Sequence, residues 1–344
     1  MRILLRCFFL LLFGSLTGCD SLSGGEEIPE VPDVEVNWEL ERADRVMVNA
    51  EEVETIIRYL EAHPYFAKMG LGIGMISDEA KKDPRLISLL RLARDPRIDT
   101  LHQECEAVYG EELSDLRTEF DHAFKRLKAV YPDFSPPDVY TVVTGLGYDL
   151  MLRDSMLLIG LDYYMGNEHF PTPPPDPYGV PLPQYIWQRY QPETIVPHAV
   201  LFLVNRYARK DQSDRRLINE MITWGKVLYL AERVMPAKPE HLLIGYTAEQ
   251  YANTEASAEV IYRFFVENEL FFDGSREAKT KYIQERPFTQ EFDKRAPGRL
   301  GVWLGWKIVR AYMEKHPEVS VQQLMAETDA QRIFEEARYR PDRE

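Results

Sequence analysis

The chain has 344 residues, of which 45% are hydrophobic and 28% charged, a composition that provides enough core for one large or two smaller globular domains. Its 56 acidic and 41 basic residues give a formal net charge of −15, and no basic run offsets this excess. Nucleic acid is therefore excluded as an expected partner, because its phosphates would be repelled. Attraction of a charged face to anionic lipid headgroups is disfavoured for the same reason.

The first nineteen residues predict a lipoprotein signal. Residues 1–6 are short and basic, and residues 7–16 form an apolar run that is too short to span a bilayer. The following Leu16-Thr-Gly-Cys19 resembles the bacterial lipobox, in which the cysteine is diacylated and the preceding peptide is removed. We therefore predict a signal peptide over residues 1–18 and lipid attachment at Cys19; the alternatives are an uncleaved anchor or a chance cysteine.

The next segment predicts a tether, and the domain follows it. Residues 20–32 are polar and interrupted by glycine and proline, so residues 19–33 are interpreted as a lipidated, flexible tether. Only Cys105 then remains unlipidated, and we expect no intrachain disulfide. Residues 34–340 are interpreted as one α+β domain that is mostly helical, with a small sheet.

Periodicity predicts the elements of this domain. Alternating apolar side chains predict a strand over residues 33–40, and β-branched and aromatic runs predict two more over 138–147 and 155–164. Apolar spacing of 3.6 predicts the helices, which are 51–62, 85–94, 99–130, 192–208, 214–235, 247–272 and 295–313, followed by a small terminal pair of helices within 320–337. Seven prolines in residues 171–183 predict an extended surface loop or docking strip.

The segment from Arg295 to Met313 is the most distinctive of these helices. Gly298, Gly301 and Gly305 fall on one side, and each costs on the order of 1 kcal/mol relative to alanine, which predicts close packing against another backbone. A second stripe consists of Arg299, Trp303, Trp306 and Arg310. One interpretation is a central core helix, and the other is that this stripe lines a groove or interface. We favour the core interpretation for Arg299, which lies beside the glycines near the helix start, and the groove interpretation for Arg310, which lies near the polar end where solvent is expected.

His198 is the candidate for a degenerate catalytic site. A helix that follows two strands and carries a histidine is similar to the zincin peptidases, whose His-Glu-x-x-His holds zinc and activates water. Here Ala199 replaces the general base and Phe202 the second ligand. Glu255, on a later helix, is interpreted as a surface charge. The sequence therefore predicts no metal, no cofactor and no catalytic residue, and the fold is expected at most to resemble a degenerate zincin.

Several stretches together resemble the gliding-motility lipoprotein family GldB. Besides the lipobox they are Val34-Glu-Val-Asn-Trp-Glu-Leu-Glu-Arg42, Asp154-Ser-Met-Leu-Leu-Ile-Gly-Leu-Asp162, Ile244-Gly-Tyr-Thr247, Phe265-Val-Glu-Asn-Glu-Leu-Phe-Phe272 and Ala296-Pro-Gly-Arg-Leu-Gly-Val-Trp-Leu-Gly-Trp-Lys-Ile-Val309. The resemblance implies a cell-envelope lipoprotein needed for surface gliding and linked to the associated secretion machinery. It implies no known reaction.

We therefore expect a non-enzymatic protein held at a membrane by acyl chains on Cys19, with its domain in the periplasm and the choice of inner or outer membrane left open. Its expected partners are other envelope, gliding or secretion proteins. The alternatives are a divergent zincin-like peptidase that acts on envelope proteins, and a small-ligand binder that uses the groove.

Overall fold

The computed structural model of the chain describes residues 30–74, 83–175 and 179–341. Fifty-five per cent of the chain is helical, and four strands form one small mixed sheet. The prediction of an α+β, mostly helical fold is thus confirmed. Val31–Glu344 forms one compact unit. Cys19, the signal peptide and most of the predicted tether lie outside the described residues.

Fifteen α-helices can be followed through the described part of the chain. The first seven are α1 (Ala43–Val48), α2 (Val53–Ala62), α3 (Pro84–Leu92), α4 (Pro96–Tyr109), α5 (Ser114–Val130), α6 (Gln184–Trp187) and α7 (Ile195–Asn205). The next eight are α8 (Leu217–Val234), α9 (Glu240–Ile244), α10 (Ala248–Ala256), α11 (Ala258–Glu267), α12 (Arg276–Tyr282), α13 (Leu300–Lys315), α14 (Val321–Ala326) and α15 (Ala330–Ala337).

The sheet has the strand order β1-β2-β4-β3. Its strands are β1 (Leu40–Glu41), β2 (Asp138–Val142), β3 (Leu150–Arg153) and β4 (Met156–Gly160). The two β2 pairings are parallel, and β3 forms an antiparallel hairpin with β4. The central strands β2 and β4 are almost completely buried, which explains their continuous apolar sequences.

The prediction of a strand over residues 33–40 is wrong for all but its last residue. Burial alternates through Val34, Val36, Trp38 and Leu40 as predicted, but only Leu40 and Glu41 pair with β2. The register would place residues 37 and 38 opposite Pro136 and Pro137, and proline has no N–H to donate to a ladder. The pairing therefore begins only where those prolines end.

The other two predicted strands are too long. β2 stops at Val142, and the segment 155–164 continues from β4 as a 3₁₀ helix, Leu161–Tyr164. No sequence pattern predicted β3, which is connected to β4 by a two-residue turn at Asp154 and Ser155.

Two predicted helices are each divided. The segment 99–130 breaks after α4, where Gly110 has φ +74° and Leu113 has φ +50°. The segment 247–272 breaks at Ser257 and ends in a 3₁₀ turn, Leu270–Phe272. A residue with positive φ cannot continue a right-handed helix, so Gly110 and Leu113 fix the first break.

The proline-rich segment 171–183 folds back on itself in its described part. Pro175 and Pro181 form an isolated bridge, and the Leu182 amide donates to the Pro174 carbonyl at 3.0 Å. Residues 176–178 lie outside the described ranges. None of the described helices has the length and apolar character needed to cross a membrane.

Helices α8 and α13 cross at the centre of the larger core, and glycines allow their backbones to touch. A Cβ added to Gly305 would lie 2.0 Å from the Met221 carbonyl oxygen, and one added to Gly225 would lie 2.4 Å from the Gly305 carbonyl oxygen. On the same face, a Cβ at Gly301 would meet the Tyr282 carbonyl oxygen at 2.9 Å. The predicted close packing is confirmed at Gly301 and Gly305, whereas Gly298 precedes α13 and packs against the Arg286 backbone; no side chain fits at the α8–α13 crossing.

Candidate functional site

The four residues of the predicted stripe lie in different environments. Trp303 and Trp306 are fully buried in the core between helices. Arg299 is not part of α13: it has φ +63° and caps the helix, which runs from Leu300 to Lys315 and not over residues 295–313 as predicted. Arg310 lies in the fourth turn with a quarter of its side chain exposed. The structure therefore places the indoles in the core and the two guanidinium groups at its margins.

Arg299 is held in place by three different groups. Its Nη1 donates to the Ile244 carbonyl at 2.9 Å and lies 3.2 Å from Glu285 Oε1, while its guanidinium lies 5.4 Å from the Trp224 ring centroid. Arg189 approaches the same carboxylate, with its Nη1 2.6 Å from Glu285 Oε2. Two cations thus share one acid at the start of α13.

Two of the stretches that carry the family resemblance meet at this point. Ile244-Gly-Tyr-Thr247 ends α9 and begins α10: Gly245 has φ +76°, and the Thr247 side chain accepts a hydrogen bond from the Gln250 amide. The Tyr246 hydroxyl donates to the Gly298 carbonyl at 2.7 Å. Together with the bond from Arg299 to Ile244, this contact joins α9, α10 and α13 into one rigid junction.

The middle of the stripe is fixed by Glu255, which is not the helix-surface charge that the sequence predicted. Its Oε1 accepts from the Trp303 indole at 2.7 Å, and its Oε2 accepts from Lys307 Nζ at 2.7 Å. The α10–α13 contact therefore contains a charge-assisted pair and a satisfied indole donor.

A quarter of the Arg310 side chain is exposed, as expected for this end of the helix, but its guanidinium is also paired with two acids, which the sequence did not predict. Its Nε donates to Glu232 Oε2 at 2.8 Å, its Nη2 donates to Glu240 Oε1 at 2.6 Å, and its guanidinium lies 4.2 Å from the Trp306 ring centroid. Burial raises the pKa of Glu232, although Arg310 acts in the opposite direction. Although burial also acts on Glu240, hydrogen bonds from Arg310 and Tyr251 keep its pKa below the ordinary value.

A cleft of about 900 Å³ opens beside Arg310. Its walls are the junction of α10 and α11, the outer face of α13 and the segment after α15. The charged residues that line it include Lys307, Arg310, Glu314, Lys315, Arg338 and Arg340. We call it the C-terminal cleft; it is open to solvent and borders the Arg310 end of the stripe.

His198 lies on α7, away from this cleft, in a cluster of tyrosines. Its Nδ1 is 3.1 Å from the Tyr164 hydroxyl, and the Tyr190 ring packs edge-on against it. Burial, assisted by the charge of Arg189, lowers the pKa of His198 to about 4, so the imidazole is neutral at neutral pH. Phe202, at the position of a zincin's second ligand, is exposed. No group of three or more metal-ligating side chains occurs within residues 30–74, 83–175 and 179–341.

Sequence reasoning missed a buried polar cluster in the N-terminal half. The carboxylate of Asp44 is fully buried, accepts from Arg42 at 2.6 Å and lies 3.0 Å from His102 Nε2. The Thr141 hydroxyl also donates to it. Hydrogen bonds from these groups lower the pKa of Asp44 despite the opposing effect of burial. This cluster ties α1 and α4 to β2, and nothing in the local sequence around Asp44 distinguishes it from a surface acid.

A second missed carboxylate, Asp162, follows β4. It is fully buried and accepts from the amides of Leu146 at 2.6 Å and Thr144 at 3.2 Å. Burial raises its pKa to about 6. The pattern of a lone acid after an apolar strand is a weak signal for such a loop anchor, because most acids there are exposed.

Comparison with known proteins gives one result. The family model described as "Gliding motility protein GldB" matches residues 25–341, which is nearly the whole chain. The searches of curated proteins and of solved structures find no match. The similarity to a zincin-like fold therefore stays a prediction.

Proposed function

The chain belongs to the gliding motility protein GldB family, and from this premise we propose that it is a cell-envelope lipoprotein that supports gliding motility and the protein secretion associated with it. The match over residues 25–341 is the observation that carries this proposal, because it includes the junction and the core helices described above.

Anchoring through Cys19 is part of the proposal. The lipobox Leu16-Thr-Gly-Cys19 follows an apolar segment of signal length, and two or three acyl chains on one residue hold a protein stably at a membrane. The polar residues 20–32 then give the domain freedom to reach partners from the membrane surface. The domain lies in the periplasm, and its partners are other proteins of the envelope and of the gliding or secretion apparatus.

The domain acts by holding partners and not by catalysis. This part of the proposal is supported by what surrounds His198: the imidazole is bonded to Tyr164, Ala199 is buried in the core, and Phe202 points to solvent. The charged groups along α13 support it too, since Arg299, Lys307 and Arg310 each have acidic partners that fix the fold. A peptidase would need a base and ligands that this arrangement does not supply.

The experiment is deletion of the gene followed by complementation with the wild-type chain and with Cys19→Ser. The deletion should stop surface spreading, and the wild-type chain should restore it. The Cys19→Ser chain should accumulate as unprocessed, unacylated precursor, measured by mass spectrometry, and should restore spreading poorly. Normal spreading and normal export in the deletion strain would refute the proposed role, while mature diacylated protein from Cys19→Ser would refute the anchor alone.

A further inference from the structure

Within residues 30–74, 83–175 and 179–341, the structure shows no acidic partner for two of the cations at one end of the C-terminal cleft. Lys307 pairs with Glu255, and Arg310 pairs with two acids, so neither is available. By contrast, no carboxylate contacts Arg338 or Arg340 within the ranges that the structure describes, and both residues are exposed. These two arginines are therefore open to an external anion.

Lys315 adds a third positive charge at this end. Its Nζ donates to the Ala337 carbonyl and, at 3.2 Å, to the Arg338 carbonyl, so it caps α15 without being neutralised. Glu314 is an acidic residue on the same wall of the cleft as Lys315. Glu259 is on the opposite wall and lies 4.0 Å from Arg263. Arg263 is shared between Glu259 and Glu267, so three cations face two incompletely compensated acids, Glu314 and Glu259, on a chain whose net charge is −15.

We infer that the C-terminal cleft binds an acidic peptide segment of a protein partner. The lining also includes short apolar side chains, among them Val260 and Ala311, which can contact a peptide backbone between its acidic groups. A volume of about 900 Å³ accommodates several residues and exceeds what a single phosphate would fill. Nucleic acid and an anionic membrane surface extend well beyond the cleft and would meet the negative charge of the rest of the chain, whereas a short acidic segment contacts only the cleft.

This inference rests on the proposed function, since it names the chemistry of the partner that the envelope protein holds. Exposed arginines with no internal partner raise the rate and affinity of encounter with an acidic partner without contributing to folding. Replacing them should therefore leave the domain intact, which separates binding from stability.

The test uses the full-length protein in a non-ionic detergent and a fluorescein-labelled hexaglutamate peptide, with binding followed by fluorescence anisotropy. The double variant Arg338→Glu/Arg340→Glu should weaken binding about tenfold, because two attractions become repulsions of a few tenths of a kcal/mol each. The matched control Arg58→Glu/Arg295→Glu makes the same charge change at exposed residues outside the cleft, and it should bind within about twofold of wild type. Thermal melting of both variants checks folding.

Three results would overturn the inference: no binding of hexaglutamate by the folded wild type, equal binding of hexalysine, or equal losses in the two double variants. Loss of binding in the cleft variant with normal spreading of the cells would show an acidic-peptide site that gliding does not need. Spreading that is unaffected by deletion of the whole gene would instead refute the proposed function and leave the binding result standing.

Discussion

Replacing Arg310 with methionine tests the most consequential feature of α13. The change keeps an apolar side chain of similar length but removes the guanidinium that lies over the Trp306 ring and pairs with Glu232 and Glu240. The Glu232 side chain is only 18% exposed, so its carboxyl group would be left poorly solvated without a counter-ion. We therefore expect Arg310→Met to lower the free energy of unfolding, although the position of Arg310 near the end of α13 suggests a surface site that tolerates substitution.

The expected loss of stability follows from how deeply the ion pairs of Arg310 are buried. Removing one partner of a fully buried ion pair costs about 3–5 kcal/mol, and the partial exposure of Arg310 and Glu240 reduces this to about 2–3 kcal/mol. The unfolding entropy of a unit the size of Val31–Glu344 is about 0.65 kcal/mol per kelvin, so the melting temperature should fall by about 3–5 °C.

The assay is thermal unfolding followed by circular dichroism. Arg310→Met/Glu232→Gln/Glu240→Gln should recover more than half of the loss, because the penalty comes from the unpaired acids and glutamine removes their charge. Arg295→Met is the control: that side chain is 92% exposed, and its melting temperature should stay within about 1 °C of wild type. A normal melting temperature for Arg310→Met, or a triple variant no more stable than the single one, would refute the reasoning.

Three further predictions follow from the core and the buried acids. Gly305→Ala should lower the free energy of unfolding by about 3 kcal/mol, because the new Cβ would meet the Met221 carbonyl, whereas Gly74→Ala has open space and should be neutral in a urea titration. Because the native pKa of Asp162 is raised to about 6 from 3.8, its contribution to stability is greatest below pH 4 and is lost as the pH rises to 6. The free-energy difference between wild type and Asp162→Asn should change by about 3 kcal/mol at most across that window and be constant above it, and a difference that does not vary with pH would contradict this. The purified protein should contain no stoichiometric zinc by elemental analysis; zinc that is lost in His198→Ala would show that other ligands complete a site.

Local sequence patterns determined the helical majority and the packing mode of α13. Apolar residues at a spacing of 3.6 indicate the buried face of a helix whatever the helix packs against. The helices α8 and α13 could therefore be predicted without knowledge of their neighbours. Glycine is costly inside a helix, and the row at Gly301 and Gly305 therefore signalled contact with another backbone. The lipobox predicted at Cys19 is a similarly local signal, because it consists of four consecutive residues and does not depend on the fold.

Only the tertiary structure decided which groups pair and where elements stop. Glu232, Glu240 and Glu255 are separated from their α13 partners by 78, 70 and 48 or 52 positions, and no periodicity specifies such distant choices. The break at Leu113 depends on a positive φ that leucine adopts because of its surroundings and not by its own preference. Periodicity indicates whether a residue is buried but not which groups it is buried against. The sequence therefore predicted a surface position for Arg310, and only the structure shows that Glu232 and Glu240 lie beside it.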